Sequence, residues 1–535
     1  MRTAHAVADV RAAERALMAT VQDGALMQRA AAGLASVCAG LLGRVYGARV
    51  VVLAGTGDNG GDALFAGARL ARRGARVTAV AVGTGLHAAG AAELRRAGGL
   101  VSGGAEAAAG TEAGTGTGSE AAAIAGADLI IDGILGIGGR GGLREPAATL
   151  AALTARAAEA GAIVVAADLP SGVDADTGVV AGPAIRADVT VTFGTIKPGL
   201  LIDPGASCAG TVELVDIGLG PHLAAPAAVQ ALQSADVAAL LPQPSAESDK
   251  YRRGVVGVLA GSRQYAGAAV LSVGGAIRGG AGMVRLVSAS PAADVVRQHW
   301  PEAVITVTAD AGSAGLAAGN AGAGSPGAPV VGGPVVGGTA IEAAGRVQAW
   351  VAGPGLGTGD DAADLLAAVL ATPLPVLVDA DGLTVLSRRK ELLSRRSGAA
   401  TLLTPHAGEL ARLTGGDHRE IEAHRLDSAR RAAAELGATV LLKGSTTVVA
   451  TPDRGEPVFV NPTGTPWLAT AGSGDVLSGL AGALLAQGLA PVSTAAAVAA
   501  FLHGLAGRLA ASSAPASAGD VLAAIPAAIR AVSEG

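Results

Sequence analysis

The sequence predicts an α/β protein of two domains, each a mostly parallel sheet covered by helices. Three observations carry that expectation. The 535 residues allow two to four domains at roughly 100–200 residues each. A short Val/Ile/Leu run, a Gly-rich turn and an Ala-rich helical stretch recur along the chain, which is the βαβ rhythm. The apolar runs lack polar alternation, as strands buried on both faces do.

In chain order, the first series of strands is expected at Arg49–Ala54, Arg76–Val82, Ala127–Asp132, Ile163–Asp168 and Val189–Phe193. Helices such as Gly61–Arg73 and Thr149–Ala160 lie between them. Leu219–Pro244 is rich in Ala and Pro and reads as linker plus the start of a helix, placing a boundary near residue 225 and domains over 1–225 and 226–535. The second series comprises Val255–Leu259, Met283–Val287, Ala349–Ala352, Pro375–Val378, Ala400–Leu403 and Thr439–Leu442, with a hairpin from Thr447–Thr451 and Val458–Asn461. Its long helices are expected over Asp361–Ala371, Glu420–Leu436, Asp475–Ala486 and Val492–Ala511. The Ala/Gly/Ser stretches Ser102–Ala123 and Gly312–Gly338 have no periodicity and read as flexible surface insertions.

Composition narrows the function classes. With 39 Lys+Arg against 44 Asp+Glu and a net charge of −5, bulk charge argues against nucleic-acid binding. Lys197, Lys250, Lys390 and Lys443 are the only lysines, so each is worth locating. Cys38 and Cys208 cannot make a disulfide framework. No apolar run reaches the ~18 residues of a membrane helix free of charge or repeated Gly, and the N-terminus lacks signal-peptide organisation. The expectation is a cytoplasmic protein with no membrane or nucleic-acid partner; a homo-oligomer stays open.

In the first half, Gly55–Asp62 follows a strand and opens a helix. Its glycines allow close approach of a ligand, and a helix N-terminus favours phosphate. Asn59 and Asp62 add polar groups that a plain turn does not need. Asp132–Gly141 and Asp168–Asp174 follow two further strands. Parallel strands end at one edge, where ligands bind. Any single Asp there could be a helix cap, but three such loops converge.

Gly57–Asp62, Asp132–Arg140, Asp168–Asp174 and Thr192–Lys197 resemble the N-terminal domain of the bifunctional NAD(P)H-hydrate repair enzymes, over most of residues 8–220 including Glu14–Gly33. The resemblance implies a Rossmann-like NAD(P)HX epimerase. It implies potassium held by Asn59, Asp132 and Ser171, an oxygen-only set suited to a hard cation. It implies substrate contacts from Asp58, Asn59, Gly60, Gly61 and Asp62, from Gly136, Ile137, Gly138, Gly139, Arg140, Gly141 and Gly142, and from Asp168. Epimerisation needs a proton shuttle, and Asp168 is the expected acid/base, with Lys197 orienting it or binding phosphate. Asp58 and Ala63 depart from the Asn and Gly common at those positions.

In the second half, Gly472-Ser473-Gly474-Asp475 opens an apolar helix. Its N–H groups can form an anion hole, and Asp475 can take a proton from an attacking hydroxyl; a plain capping box is the alternative. Lys443–Thr447, Thr404–Glu409, Asp379–Asp381 and Val351–Gly357 end four more strands. His406 can hydrogen-bond a substrate, with Glu409 fixing its tautomer or binding magnesium through water. This half, from about Lys250 to His503, resembles the ADP-dependent NAD(P)HX dehydratase domain, with a ribokinase-like fold. The resemblance implies hydrate contacts from Ala268, Gly355, His406 and Asp475, and adenine-nucleotide contacts from Lys443, Gly444, Ser445, Thr446, Thr447 and Gly474. It also implies ADP as co-substrate, magnesium, and Asp475 as catalytic residue; NADHX and NADPHX are not distinguished. Asp249-Lys250 replaces a His-Lys-Gly common in the family. The competing expectations are a ribokinase-like kinase of a small alcohol such as a vitamin precursor, which would not need the first domain, and a catalytically silent nucleotide-binding protein.

Overall fold

The computed structural model describes residues 1–83, 85–102, 117–308, 338–396 and 398–534. The chain forms two compact units, Arg2–Val229 and Gln230–Gly535.

The first unit is built on a sheet in the order Leu100–Ser102, Arg76–Ala81, Arg49–Ala54, Leu129–Gly133, Ile163–Ala167, Val189–Phe193, Thr211–Val215, with every neighbouring pair parallel. Residues Val50–Ala54 and Leu129–Gly133 are all buried, which is why these strands read as continuous apolar runs. After Arg49–Ala54 the chain winds outward in one direction and returns to build in the other. The switch point therefore lies between Arg49–Ala54 and Leu129–Gly133, where open α/β sheets bind ligands. Helix Asp58–Arg72 presses closely on this sheet: a Cβ on Gly67 would stand 3.1 Å from Val52 Cγ2.

The second unit repeats the logic. Its strands run Val458–Asn461, Thr447–Ala450, Thr439–Leu442, Thr401–Leu403, Val376–Val378, Ala349–Ala352, Val255–Leu259, Met283–Ala289, Val304–Thr308. The pairings are parallel from Thr439–Leu442 to Val304–Thr308, and the hairpin at the other end is antiparallel. Here the switch point lies between Val255–Leu259 and Ala349–Ala352. Helices Ser473–Ala486 and Ala266–Arg278 pack through small residues. A Cβ on Gly479 would overlap the Ser272 carbonyl, and one on Gly275 the Val476 carbonyl. These glycines are thus helix-packing surface.

Several expectations change. Thr117–Ala125 is a helix, not part of a flexible insertion, because the alanines that follow the Gly-rich run are strong helix formers. Helix Gly338–Ala343 begins where the second insertion was taken to end; 103–116 and 309–337 lie outside the described residues. The helix expected over Glu420–Leu436 is two helices, His418–Ala423 and Arg425–Leu436, broken at His424 with φ −126° and ψ 49°. Among the described residues two helices, Ala25–Leu42 and Val492–Ala510, are long and apolar enough to cross a membrane; 72% of the latter's window is buried inside the fold.

Candidate active sites

At the switch point of the first unit, Gly55–Gly57 carries the chain into helix Asp58–Arg72, whose N-terminus has no side-chain cap. The glycines are sterically required: a Cβ on Gly55 would overlap the Ile134 carbonyl, and one on Gly60 the Gly55 carbonyl. Gly133 packs against Ala63, so the methyl at that departure fills space that its glycine neighbour leaves. Asn59 Nδ2 donates to the Leu135 carbonyl at 2.9 Å, which leaves its Oδ1 beside Gly136, where a Cβ would stand 3.4 Å away.

Asp132 is fully buried. Its Oδ1 accepts from Ser171 Oγ at 2.6 Å and its Oδ2 from the Ser171 N–H at 2.7 Å. Desolvation pushes its carboxyl up to about 6, and its hydrogen bonds oppose that only in part. Asn59, Asp132 and Ser171 therefore converge, oxygen-rich and with no Lys or Arg paired to Asp132 among the described residues. A buried carboxylate without a cationic side chain suits a bound monovalent cation, and the set fits potassium.

Asp168 sits at the end of strand Ile163–Ala167 with φ 63°, a left-handed conformation uncommon outside glycine. Its Oδ1 accepts from Lys197 Nζ at 2.5 Å, Thr192 Oγ1 at 3.1 Å and the Phe193 N–H at 3.2 Å. Lys197 is 1% exposed and also donates to the Phe193 carbonyl at 3.0 Å. The lysine thus orients Asp168, one of the two roles expected for it.

Around this pair lie more carboxylates than the sequence suggested. Asp62 Oδ1 is buried without a hydrogen-bond partner, and burial, then Asp168, Asp58 and Glu14, hold its carboxyl well above the usual range. Glu14 is likewise raised by burial, with Lys197 opposing and Asp168 adding. Glu14 was legible in principle: on helix Val7–Met18 it shares a face with buried Val10 and Leu17. This concentration of acid suits proton handling better than phosphate. Among the described residues, segment Gly136–Gly142 is also met by a cation, since a Cβ on Gly138 would stand 3.4 Å from Arg11 Nη2.

In the second unit, helix Ser473–Ala486 starts from Gly472 in the left-handed conformation, φ 89°, with no side-chain cap. Asp475 is therefore not the N-cap, and of the first-turn N–H groups that of Ser473 donates to the Thr470 carbonyl at 3.3 Å, leaving those of Gly474 and Asp475 for an anion. Burial first, then the charges of Asp379, Asp381 and Glu409 against that of Lys443, push its carboxyl up to about 7.

Lys443 follows strand Thr439–Leu442, and its Nζ lies 2.7 Å from Asp379 Oδ1 and 3.7 Å from Glu409 Oε2. The ion pairs raise its pKa against the opposing effect of burial. Gly444 is required by the Arg425 guanidinium, which a Cβ would overlap; Arg425 is 2% exposed and donates to the Lys443 carbonyl at 3.3 Å. Thr446 is buried, while Gly444 and Ser445 lie further out in the same loop as Thr447.

His406 is the N-cap of helix Ala407–Thr414: its Nδ1 accepts from the Gly408 and Glu409 N–H groups at 3.0 and 3.3 Å. Those backbone donors fix its tautomer with Nε2 protonated, and Nε2 lies 3.6 Å from Glu409 Oε1. Glu409 accepts from the His406 N–H at 2.8 Å. Ala268 meets Gly355 at the switch point, where a Cβ on Gly355 would stand 2.8 Å from Ala268 Cβ and Tyr265 Cβ. Sequence reasoning missed Ser478, whose Oγ donates to Asp379 Oδ2 at 2.6 Å, and His503, whose Nε2 is buried with no partner among the described residues and whose pKa burial pushes down to about 4 against a backbone hydrogen bond at Ser473.

Two parallel α/β units, each with its polar loops on the strand C-termini, define an enzyme with a Rossmann-like domain followed by a ribokinase-like domain. The family model described as "NAD(P)H-hydrate dehydratase" matches residues 256–527, and "YjeF-related protein N-terminus" matches 23–199. The "Bifunctional NAD(P)H-hydrate repair enzyme Nnr" of Mycobacterium leprae (strain TN) is 45% identical over 530 residues, 97% of this chain and 96% of that one. The protein of that name in Moorella thermoacetica (strain ATCC 39073 / JCM 9320) is 35% identical, over 87% of this chain and 84% of its own. A solved ADP/ATP-dependent NAD(P)H-hydrate dehydratase from Bacillus subtilis, co-crystallized with ATP/Mg2+, is 26% identical and covers 56% of this chain and 97% of its own, with a TM-score of 0.45. The chain belongs to the family of bifunctional NAD(P)H-hydrate repair enzymes.

Proposed function

We propose that the first unit interconverts the R and S hydrates of NADH and NADPH and that the second dehydrates the S form at the expense of ADP. The observation that carries this reading is the pairing of two sites in one chain: a buried Lys197–Asp168 pair at the strand C-termini of the first unit, and Asp475 beside an uncapped helix start in the second.

In the first site Asp168 moves the proton. Loss of the ring hydroxyl as water requires a proton on its oxygen, and re-addition from the opposite face requires one to be taken away. Lys197 holds the Asp168 carboxylate in place. Asn59, Asp132 and Ser171 would hold potassium, which would supply a fixed positive charge beside the nucleotide.

In the second site Asp475 takes the proton of the hydrate hydroxyl. The hydroxyl oxygen bonds to the terminal phosphorus of ADP, the bridging P–O bond breaks, and AMP leaves. The phosphate ester then breaks at its C–O bond, the neighbouring ring carbon gives up a proton, and reduced nicotinamide and phosphate result. The first-turn N–H groups, Lys443 and the loop to Thr447 receive the phosphates, and magnesium would neutralise charge there. His406 Nε2, 3.6 Å from Glu409 Oε1, donates to the hydrate.

The test is recovery of reduced-nicotinamide absorbance from a mixed-epimer hydrate with ADP and magnesium. Full recovery is expected. Recovery stalling at the dehydratable fraction would refute the role of the first unit, and none with either ADP or ATP would refute that of the second.

A further inference from the structure

A lysine on a flexible stem is ordinarily a mobile point charge. Lys443 is not, because Asp379 anchors it. Asp379 is 1% exposed, and each of its carboxylate oxygens accepts a side-chain donor: Oδ1 from Lys443 Nζ at 2.7 Å, Oδ2 from Ser478 Oγ at 2.6 Å. Ser478 is 0% exposed and stands one turn beyond Asp475 on helix Ser473–Ala486. Asp379 therefore ties the phosphate-facing lysine to the helix that carries the catalytic acid.

The backbone holds Asp379 in turn. Ala380 takes φ 49°, a conformation disfavoured for a residue with a Cβ. A Cβ on Gly353 would overlap the Asp379 carbonyl, which itself accepts from the Gly382 N–H at 3.0 Å. A side chain so determined from both sides is suited to fixing others. What it fixes is seen at Gly474, where a Cβ would stand 3.3 Å from Lys443 Nζ and 3.7 Å from Asp379 Oδ2. The ammonium thus lies against the first turn of that helix.

We propose that Asp379 is a positioning residue for phosphoryl transfer: through Lys443 and Ser478 it holds the ammonium, the anion hole and the Asp475 carboxylate in one register. This rests on the dehydratase reading above. It assigns Asp379 no contact with substrate. The anchor also has an electrostatic consequence. Asp475 is faced by Asp379, Asp381 and Glu409, which disfavour its ionisation, and by Lys443, which favours it. As the base, Asp475 must be ionised, so dehydration should rise with pH through the neutral range. Removing the Asp379 charge should let Asp475 ionise at lower pH.

The experiment is steady-state dehydration of the S hydrate by the full chain, with ADP and magnesium, as a function of pH for the wild type, Asp379→Asn and Ser478→Ala. Asp379→Asn should lower kcat by ~10-fold or more through lost alignment, with KM for the hydrate within about 2-fold. Its acid limb should move to lower pH, and the packing change in Ser478→Ala, which removes no charge, is the control that separates this from loosened packing. Ser478→Ala keeps the Asp379 charge and should lower kcat with its acid limb in the wild-type place. A wild-type kcat and acid limb in Asp379→Asn overturn the proposal. If that variant does not fold, an undiminished kcat in Ser478→Ala overturns the shared register by itself. A wild-type chain that never responds to ADP would sink the dehydratase reading and this inference with it, whereas a responsive wild type with indifferent variants would sink the inference alone.

Discussion

Asp475→Asn should abolish dehydration and at the same time stabilise the second unit at alkaline pH. Burial and three neighbouring carboxylates push the Asp475 carboxyl up to about 7 in the folded chain, against roughly 3.9 in an unfolded one. A carboxyl raised on folding adds no penalty below the unfolded value; stability is lost as pH rises from there through the folded value. At about 1.4 kcal/mol per pH unit, the loss is ~1.5 kcal/mol near pH ~5 and up to ~4 kcal/mol above pH ~8. The side chain keeps some water, so about 2–4 kcal/mol is the expected gain for the uncharged amide at the higher pH, and little at pH ~4. The assay is denaturant unfolding followed by tryptophan fluorescence. Trp300, Trp350 and Trp467 are the only tryptophans and all lie in Gln230–Gly535, so the signal reports that unit alone. A difference between wild type and variant that is the same at pH ~4 and pH ~8 would refute the electrostatic reasoning.

Asp168→Ala should leave the R hydrate to its slow spontaneous exchange while the S hydrate is still consumed; disappearance of both epimers at the wild-type rate would show that Asp168 moves no proton. Ser171→Ala removes the hydroxyl that Asp132 shares, and should blunt the response of epimerisation to exchanging potassium for sodium; an undiminished potassium response would place the cation elsewhere. Gly60→Ala puts a methyl against the Gly55 carbonyl and should cost about 1–3 kcal/mol in the unfolding of the first unit, measured by calorimetry. Cys38 is fully buried with its thiol pushed up to about 12, and burial raises Cys208 as well, so a thiol reagent should label neither until denaturant is added.

The parallel sheets were legible because their strands are buried on both faces and lie between Gly-rich turns. Val255–Leu259 and Ala349–Ala352, for example, run over the residues expected. Not every edge strand was. Thr211–Val215 and Val304–Thr308 expose part of each face and carry no continuous apolar run. Nor could the break at His424 be seen, since Glu420–Leu436 is helical in composition throughout and only the backbone of one residue departs. Candidate acids and hydroxyls at strand ends were visible one by one, as Asp132, Asp168 and Asp475 show. Their strength as a group was not visible, because it depends on which strand ends become neighbours.

Asp379 is the sharpest instance of that gap. As sequence, it is one of two carboxylates closing a strand, and Ser478 is a small residue inside an apolar helix, 99 positions away. Nothing local joins them. The sheet order makes the connection: Val376–Val378 and Thr439–Leu442 flank Thr401–Leu403, so the residues that follow all three strands emerge side by side. Asp379, His406 with Glu409, and Lys443 therefore meet, and helix Ser473–Ala486 lies across that edge with Asp475 and Ser478 on neighbouring turns. Burial then makes the meeting consequential. A solvated Asp379–Lys443 pair would contribute ~1 kcal/mol or less, while a buried one that loses a partner leaves a charge stranded at a cost of about 3–5 kcal/mol. The same burial that makes the pair costly to break lets its charges act on Asp475, so the residues that organise this site are those whose removal should disturb both its alignment and its pH response.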